Sequence, residues 1–252
     1  MSGDSVGAGR IVTVFGGSGF VGRYVVRALA RDARRGLSET LGELRKSGAR
    51  IDEAGLKDLV AVAVRALDNV IEASNYPLDE QRHEAISKRR IGLGVTGLAD
   101  ALIMCGLRYG APEAVAATKR WMAAFRDAAV AASIDLAREK GAFPLFDRDK
   151  YIASPTIAAL PADLRKDIAR YGIRNALVTS IAPTGTISLF ADNVSSGLEP
   201  VFSFSYTRRV LMPDGTRREE DVSDYAYRLF RRIKGDADRK STRLNSSHTD
   251  IS

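Results

Sequence analysis

An α/β fold is predicted by three features of this 252-residue sequence. A β-branched run, Arg10 to Phe15, leads through a glycine-rich turn into a helical pattern. Three stretches between Asp52 and Lys140 repeat apolar residues at helical spacing. A second apolar run, Asn175 to Ala182, again ends at a turn of small residues before a helix. With 45 % apolar and 27 % charged residues, the chain has the balance of a soluble globular protein that can bury a core.

The first unit reads strand, glycine turn, helix. Arg10 to Phe15 runs into Gly16-Gly17-Ser18-Gly19-Phe20-Val21-Gly22, and Tyr24 to Ala33 then places Val25, Val26, Leu29 and Ala30 at helical spacing. Gly16, Gly19 and Gly22 permit a tight turn in which a pyrophosphate sits on exposed amides at a helix N-terminus. IVTVFGGSGFVGRYVVRALA resembles the opening of extended short-chain dehydrogenases and epimerase-like proteins, which are Rossmann folds. That resemblance implies NAD(P) binding, yet after Arg31 the chain turns polar and no second buried strand ending near an acidic residue follows. The family's catalysis also needs a tyrosine with a lysine four positions on, and no tyrosine here has one. Residues 1–33 are therefore expected to be a partial Rossmann β-α unit, with 34–49 as a junction.

From Asp52, a plausible N-cap, Leu56, Leu59, Val60, Ala63, Leu67, Val70 and Ile71 form one apolar face. Proline restricts the residue before it, so this helix should end before Tyr76-Pro77. Arg89 to Cys105 begins with glycine spacing and becomes helical around Leu98 to Met104. A third helix should cover Pro112 to Lys140, with Val115, Trp121, Met122, Phe125 and Ile134 apolar and Gly141 as its stop. A short helix near Ala162–Ala169 precedes the buried strand Asn175–Ala182, and a helical run follows at Ile187–Ala191. Val201–Met212 and Thr216–Val222 read as a hairpin about Pro213-Asp214-Gly215, followed by a last helix, Ser223 to Lys234. Residues 50–235 are taken as one unit. Residues 236–252 carry no periodicity, and STRLNSSHTDIS resembles translated adapter or vector sequence, so they are expected to be a disordered, artefactual tail.

Net charge is +7, but the excess is split among Arg34–Arg35, Lys88–Arg90, Arg208–Arg209 and Arg231–Lys234. No basic stripe interleaved with aromatics emerges, and nucleic acid is not an expected partner. No apolar run is long enough to cross a bilayer, and the N-terminus does not read as a signal peptide, so a cytoplasmic location and no membrane partner are expected. The single cysteine, Cys105, allows no internal disulfide and no cysteine-based metal site. His83 and His248 lack partners at metal spacing, and neither Asp147 nor Glu199 has a neighbour that makes an acid/base pair, so no metal ligand is named.

Ser180-Ile181-Ala182-Pro183-Thr184-Gly185-Thr186-Ile187-Ser188, with Ser195-Ser196-Gly197-Leu198-Glu199-Pro200 shortly after, is the strongest constellation. A strand delivers small hydroxyl residues and glycine onto a helix start, where free amides make an anion cradle. The same residues also read as an ordinary strand-to-helix turn with Thr184 as N-cap.

RRIGLGVTGLADAL, LAREKGAFPLF and SIAPTGTISLFADNVSSGLEPVFSFSYTRRVL, in that order over about Arg50 to Gly235, resemble the adenosylcobalamin-dependent (class II) ribonucleotide reductases. The resemblance implies a C-terminal part of the catalytic subunit, that is, a fragment of a ten-stranded α/β barrel. It implies that Pro183, Thr184, Gly185, Thr186 and Ile187 hold the phosphates of a ribonucleotide substrate. Adenosylcobalamin is then the parent family's cofactor, not necessarily bound by this piece, and the parent is open to oligomerisation. Family chemistry uses a thiyl radical on a cysteine flanked by an asparagine and a glutamate, with a second cysteine pair as reductant. Cys105, in ALIMCGL, lacks that context and reads as a buried structural residue, so no catalytic residue is named. The expected function is ribonucleotide reduction for DNA precursor synthesis, in a piece that is inactive alone. The alternatives are an NAD(P)-binding dehydrogenase-like protein and a non-catalytic nucleotide-binding fragment.

Overall fold

Asp52 starts the first helix because its carboxylate accepts a hydrogen bond from the Gly55 amide at 3.1 Å, satisfying one of the free donors of the first turn. In the computed structural model, which describes residues 10–11, 50–201 and 203–228, this helix α1 spans Glu53–Ala73. Ahead of it, β1 (Arg10–Ile11) pairs in parallel with β2 (Arg50–Ile51). Gly16, Gly19 and Gly22, the rest of the expected dinucleotide unit, the junction and the C-terminal tail lie outside the described residues.

Helix α1 buries Leu56, Val60, Val64, Asp68 and Ile71, a row of mostly four-residue steps. That stripe corrects the apolar face read from the sequence. Val70 is exposed, and the charged Asp68 is buried in full. Helix α2 (Asp79–Lys88) was not anticipated, because it buries only Ser87 and has no apolar face. It is supported instead by acidic residues in its first turn, Lys88 in its last, and the Glu84–Lys88 pair one turn apart.

Helices α3 (Leu98–Met104) and α4 (Pro112–Lys140) follow the sequence expectation, with Pro112 at the first position of α4 and Gly141 beyond its end at φ +85°. Val115 is exposed, contrary to expectation, whereas Trp121, Phe125 and Ile134 are buried. Helix α4 packs along α1, and Phe125, Ala129 and Val130 join Leu56, Val60 and Val64 in the main core. Its first half carries a second cluster, in which Ala114, Ala117 and Trp121 meet Leu98, Ala101 and Leu102 of α3. Three shorter helices, α5 (Arg148–Ile152), α6 (Pro155–Ala158) and α7 (Ala162–Tyr171), close one side of the main core through Ile157, Ile168 and, between α6 and α7, Leu160.

The run Asn175–Ala182 is extended but does not form the buried strand expected of it. It makes one parallel bridge, Leu93 to Thr179, with the Leu93 and Ile91 amides donating to the carbonyls of Val178 and Leu177 and Ser180 donating back to Leu93, each at 2.9 Å. Asn175 and Val178 are buried, while Leu177 and Ile181 stand 58 % and 73 % exposed. Among the described residues this run has a strand-like neighbour on one edge only, so its outward side chains are left uncovered.

Glycine spacing around Leu93, the partner in that bridge, has a steric cause. A Cβ at Gly94 would lie 2.7 Å from the Ser180 carbonyl oxygen, and one at Gly92 would lie 2.7 Å from the movable Ser180 hydroxyl. Gly94→Ala is therefore expected to cost about 1–3 kcal/mol, because backbone must shift. Gly92→Ala should cost less, because a side chain can rotate away. Urea midpoints of the two variants check this, and an equal or larger loss for Gly92→Ala would contradict it.

Helix α8 (Gly185–Phe190) leads to the hairpin of β3 (Ser205–Leu211) and β4 (Arg217–Ser223), which are antiparallel. The hairpin forms about the expected turn, with Gly215 at φ +83° and the Asp214 carboxylate accepting from the Thr216 amide at 2.9 Å. Its first strand starts later than the sequence suggested, at Ser205. Of the expected last helix, residues 225–228 are helical and the remainder lies outside the described residues. The described architecture is thus mixed α/β and dominated by helix.

Candidate functional site

The loop singled out by sequence, Pro183 to Ile187, is carried at the end of the extended 175–182 run and opens helix α8. Thr184 is the N-cap residue, but it does not cap. Its side chain makes no hydrogen bond to the α8 amides and its backbone is left-handed at φ +52°. The hydroxyl instead accepts from the Gly197 amide at 2.6 Å, and Thr184 is buried by that contact. Neither alternative reading of Thr184 is therefore complete: it sits at the N-cap position, yet serves a second loop.

The consequence for α8 follows from helix geometry. The first turn of a helix has amides with no partner of its own, here those of Gly185, Thr186 and Ile187, and no capping side chain covers them. Pro183, Gly185 and Thr186 are exposed, so the start of α8 opens to solvent. Uncapped amides at an accessible helix start can receive an oxyanion.

The second loop, residues 192–200, is held tightly. Ser196 and Ser188 hydroxyls lie 3.1 Å apart, and the Ser188 hydroxyl contacts the Gly185 carbonyl at 2.9 Å. Ser195 reaches to α3, where its hydroxyl accepts from the Ala99 amide at 3.1 Å, while its own amide donates to Asp100 at 2.6 Å. This reciprocal exchange is a capping box closed by a residue far away in sequence. Of the four non-glycine residues with positive φ among the described residues, three (Thr184, Asp192 and Asn193) lie in these two loops. Such backbone persists only where surrounding contacts over-determine it.

The other residues weighed from sequence take structural places. Cys105 ends α3, and burial pushes its thiol up to about 11, so it is a protonated thiol at neutral pH. Asp147 caps α5 by accepting from the Lys150 amide at 3.2 Å, and the hydrogen bond from the Lys150 side chain holds its carboxyl below the usual range. Glu199 is exposed, and His83 is exposed on α2 at a shallow cleft shared with Asp79, Arg82 and Pro144, distinct from the Pro183–Ile187 loop. His248 lies outside the described residues. No group of three or more metal-ligating side chains occurs among the described residues.

The described basic clusters are engaged internally. Arg89 is buried against Asp68, Lys88 and Arg90 pair with Glu84, Arg209 pairs with Glu219, and Arg208 stands opposite Glu220 in the hairpin. No described helix is long and apolar enough to cross a membrane. Sequence reasoning missed Asp68, Asp100 and Asp224, three buried acids whose partners come from distant segments and leave no local spacing to find.

Comparison with known proteins points to one family. A family model described as ribonucleotide reductase, barrel domain, matches residues 36–242. A vitamin B12-dependent ribonucleoside-diphosphate reductase of Mycobacterium tuberculosis (strain CDC 1551 / Oshkosh) is 42 % identical over 163 residues, covering 64 % of this chain and 21 % of that protein. Another, from Thermoplasma acidophilum, is 31 % identical over 206 residues, covering 79 % of this chain and 25 % of its own length. The ribonucleoside-diphosphate reductase large subunit of Caenorhabditis elegans is 33 % identical over 175 residues, with 66 % and 22 % covered. The chain thus spans about a fifth to a quarter of the curated relatives it matches. These matches do not favour the alternative of a dehydrogenase-like protein. On the extent of the match to the barrel-domain model, over residues 36–242, the chain belongs to the ribonucleotide reductases.

Proposed function

We propose that this chain is a segment of the ten-stranded barrel of an adenosylcobalamin-dependent ribonucleoside-diphosphate reductase, and that Pro183, Thr184, Gly185, Thr186 and Ile187 form its substrate-phosphate cradle. The observation that carries this reading is the uncapped first turn of α8. Thr184 commits its hydroxyl to Gly197, which leaves the amides of Gly185, Thr186 and Ile187 for a ligand. A ribonucleoside diphosphate supplies the oxyanions that such a helix start accepts.

The relatives' dependence on vitamin B12 makes adenosylcobalamin the parent family's cofactor. The cofactor carries its own cobalt ligands in the corrin ring, so its binding calls for no metal-ligating cluster from these residues. Family chemistry calls for more thiols than the single Cys105, and that thiol is half-buried and protonated. The chain is thus a binding element of the parent activity and not a complete catalyst.

Titration calorimetry of the full chain with a ribonucleoside diphosphate and with inorganic phosphate tests the reading, alongside an assay for deoxyribonucleotide. Saturable, phosphate-competed binding without turnover is expected. A Cβ at Gly185 meets nothing within 4 Å, and a carboxylate at a helix start is compatible with folding. Gly185→Asp should therefore keep the fold while repelling the anion, with affinity lowered about tenfold or more. Unchanged affinity in that variant, or deoxyribonucleotide formation by the chain alone, would sink the proposal.

A further inference from the structure

Two carboxyl groups meet in the interior where α3, the 192–200 loop and the exit of the hairpin join. Asp100 is 1 % exposed and Asp224 2 %. Asp100 accepts from the Ser195 amide at 2.6 Å and, through its other oxygen, from the Ala226 amide at 3.1 Å. Asp224 accepts from the Tyr227 amide at 3.1 Å, and its own amide donates to the Phe204 carbonyl at 3.0 Å. The two buried carboxyls thus accept from adjacent amides, those of Ala226 and Tyr227, at one helix start. Two ionised carboxylates buried side by side repel, and a proton on one of them relieves the repulsion and supplies a donor.

We propose that one proton held between Asp100 and Asp224 locks the 192–200 loop and the hairpin's exit onto α3, and that the lock weakens as this proton becomes harder to keep. Four backbone segments converge on the pair: the start of α3, Ser195, Phe204 and residues 224–227. Releasing it would uncouple them together. The lock stands on these contacts whether or not the neighbouring loop binds phosphate.

Other ionisable groups on the converging segments have their own partners. Arg228 pairs with Asp192 at 2.7 Å and donates to the Ser223 carbonyl, and its guanidinium lies over the Tyr225 ring. Tyr227 packs its ring on Phe204, the Tyr109 hydroxyl donates to the Leu198 carbonyl, and Glu199 is exposed. Among the described residues, Asp100 is the side chain that acts on Asp224.

Burial, and after it the Asp100 charge, push the Asp224 carboxyl up to about 8. In an opened chain the same carboxyl returns to its ordinary value near ~3.9. Between those limits the closed form holds a proton that the open form does not, so opening becomes about tenfold easier per pH unit and levels off above about pH 8. The lock is fully present in acid and is lost as pH rises.

Amide hydrogen exchange of the full chain, corrected for intrinsic rates, reads this directly. Protection at Ser195 and Ala226 should fall about a hundredfold between roughly pH 5 and 7. In Asp224→Asn, whose side-chain amide can donate the same bond to Asp100 without a titrating proton, protection should be flat over that range. A flat wild type, or an undiminished fall in the variant, overturns the proposal. Should the variant not fold, carboxyl carbon-13 shifts of the wild-type aspartates decide it. One carboxyl titrating near 8 is expected, and all titrating below about 5 would overturn the lock.

Discussion

Asp68→Ala is expected to lower the unfolding free energy by about 3–5 kcal/mol, the usual loss when one member of a buried ion pair is removed. Asp68 is fully buried on α1, where one carboxylate oxygen accepts from Arg89 Nε and Asn175 Nδ2, each at 2.9 Å. Its other oxygen accepts from Arg174 Nε at 3.4 Å. Arg89 is itself buried, with left-handed backbone at φ +47°, and donates further to the Asp68 carbonyl and to Glu72. Asn175 completes the network by exchanging hydrogen bonds with Ser133 of α4 and donating to the Arg89 carbonyl. The alanine variant leaves a buried guanidinium with Glu72 as its one remaining carboxylate and strips Asn175 of an acceptor. Urea unfolding should show a lower midpoint at unchanged slope. A loss under about 1 kcal/mol would mean that the network behaves like an exposed ion pair.

The acid side of stability carries the same signature. Burial pulls the Asp68 carboxyl upward, but the hydrogen bonds from Arg89 and Asn175 and the charges of Arg89 and Arg174 outweigh it and hold the group below the usual range. A carboxylate lowered on folding contributes stability above its unfolded value, near ~3.9, and loses it as pH falls through the folded value. Removing Asp68 should therefore flatten the acid limb of stability below about pH 4. The Asp100–Asp224 pair has the opposite sign and acts at higher pH, so the two contributions separate along the pH axis.

Local pattern explains which parts of this molecule could be read in advance. Helices α1 and α4 announce themselves because their ends carry capping signals, Asp52, Pro112 and Gly141, and all three of α1, α3 and α4 because most of their buried residues are apolar. The hairpin was legible from Asp214 and Gly215, whose turn chemistry acts within a few residues. Helix α2 was not, since its stability comes from end charges rather than a buried face. The expected strand at Asn175–Ala182 failed for a related reason. Apolar content there signals a surface that prefers cover, but only one neighbouring edge is present among the described residues.

At the candidate site the same boundary holds. Pro183 to Ile187 stand out because small, hydroxyl and glycine residues follow one another in the chain. What fixes them does not stand out: Gly197 comes from a separate loop, and Ser195 caps a helix almost a hundred residues away in sequence. A single sequence shows spacing within a segment, and contacts between segments leave no spacing to read. The buried acids Asp68, Asp100 and Asp224 escape for that reason, although a charged residue on an apolar helical face, as at Asp68, is a signal that close reading can use.

Gly197→Ala should dismantle the proposed phosphate cradle while leaving the main core folded. Gly197 has φ +45°, where a side chain costs about 1–2 kcal/mol. An added Cβ would also lie 2.8 Å from the Ala182 carbonyl oxygen, a contact that backbone must relieve at about 1–3 kcal/mol more. Relief moves Gly197 away from Thr184, whose own left-handed, β-branched backbone is held by the 2.6 Å hydrogen bond from the Gly197 amide. Thr184 is then free to relax and turn its hydroxyl onto the α8 amides, and the helix start closes against ligand. Phosphate affinity in the calorimetric titration should fall at least about tenfold. Thr184→Ser, which keeps the hydroxyl, should retain most of the wild-type affinity. If Gly197→Ala binds phosphate normally while Gly185→Asp does not, the helix start binds the anion but the second loop does not hold it open. That outcome would assign the shape of the cradle to the chain on either side of Thr184 alone.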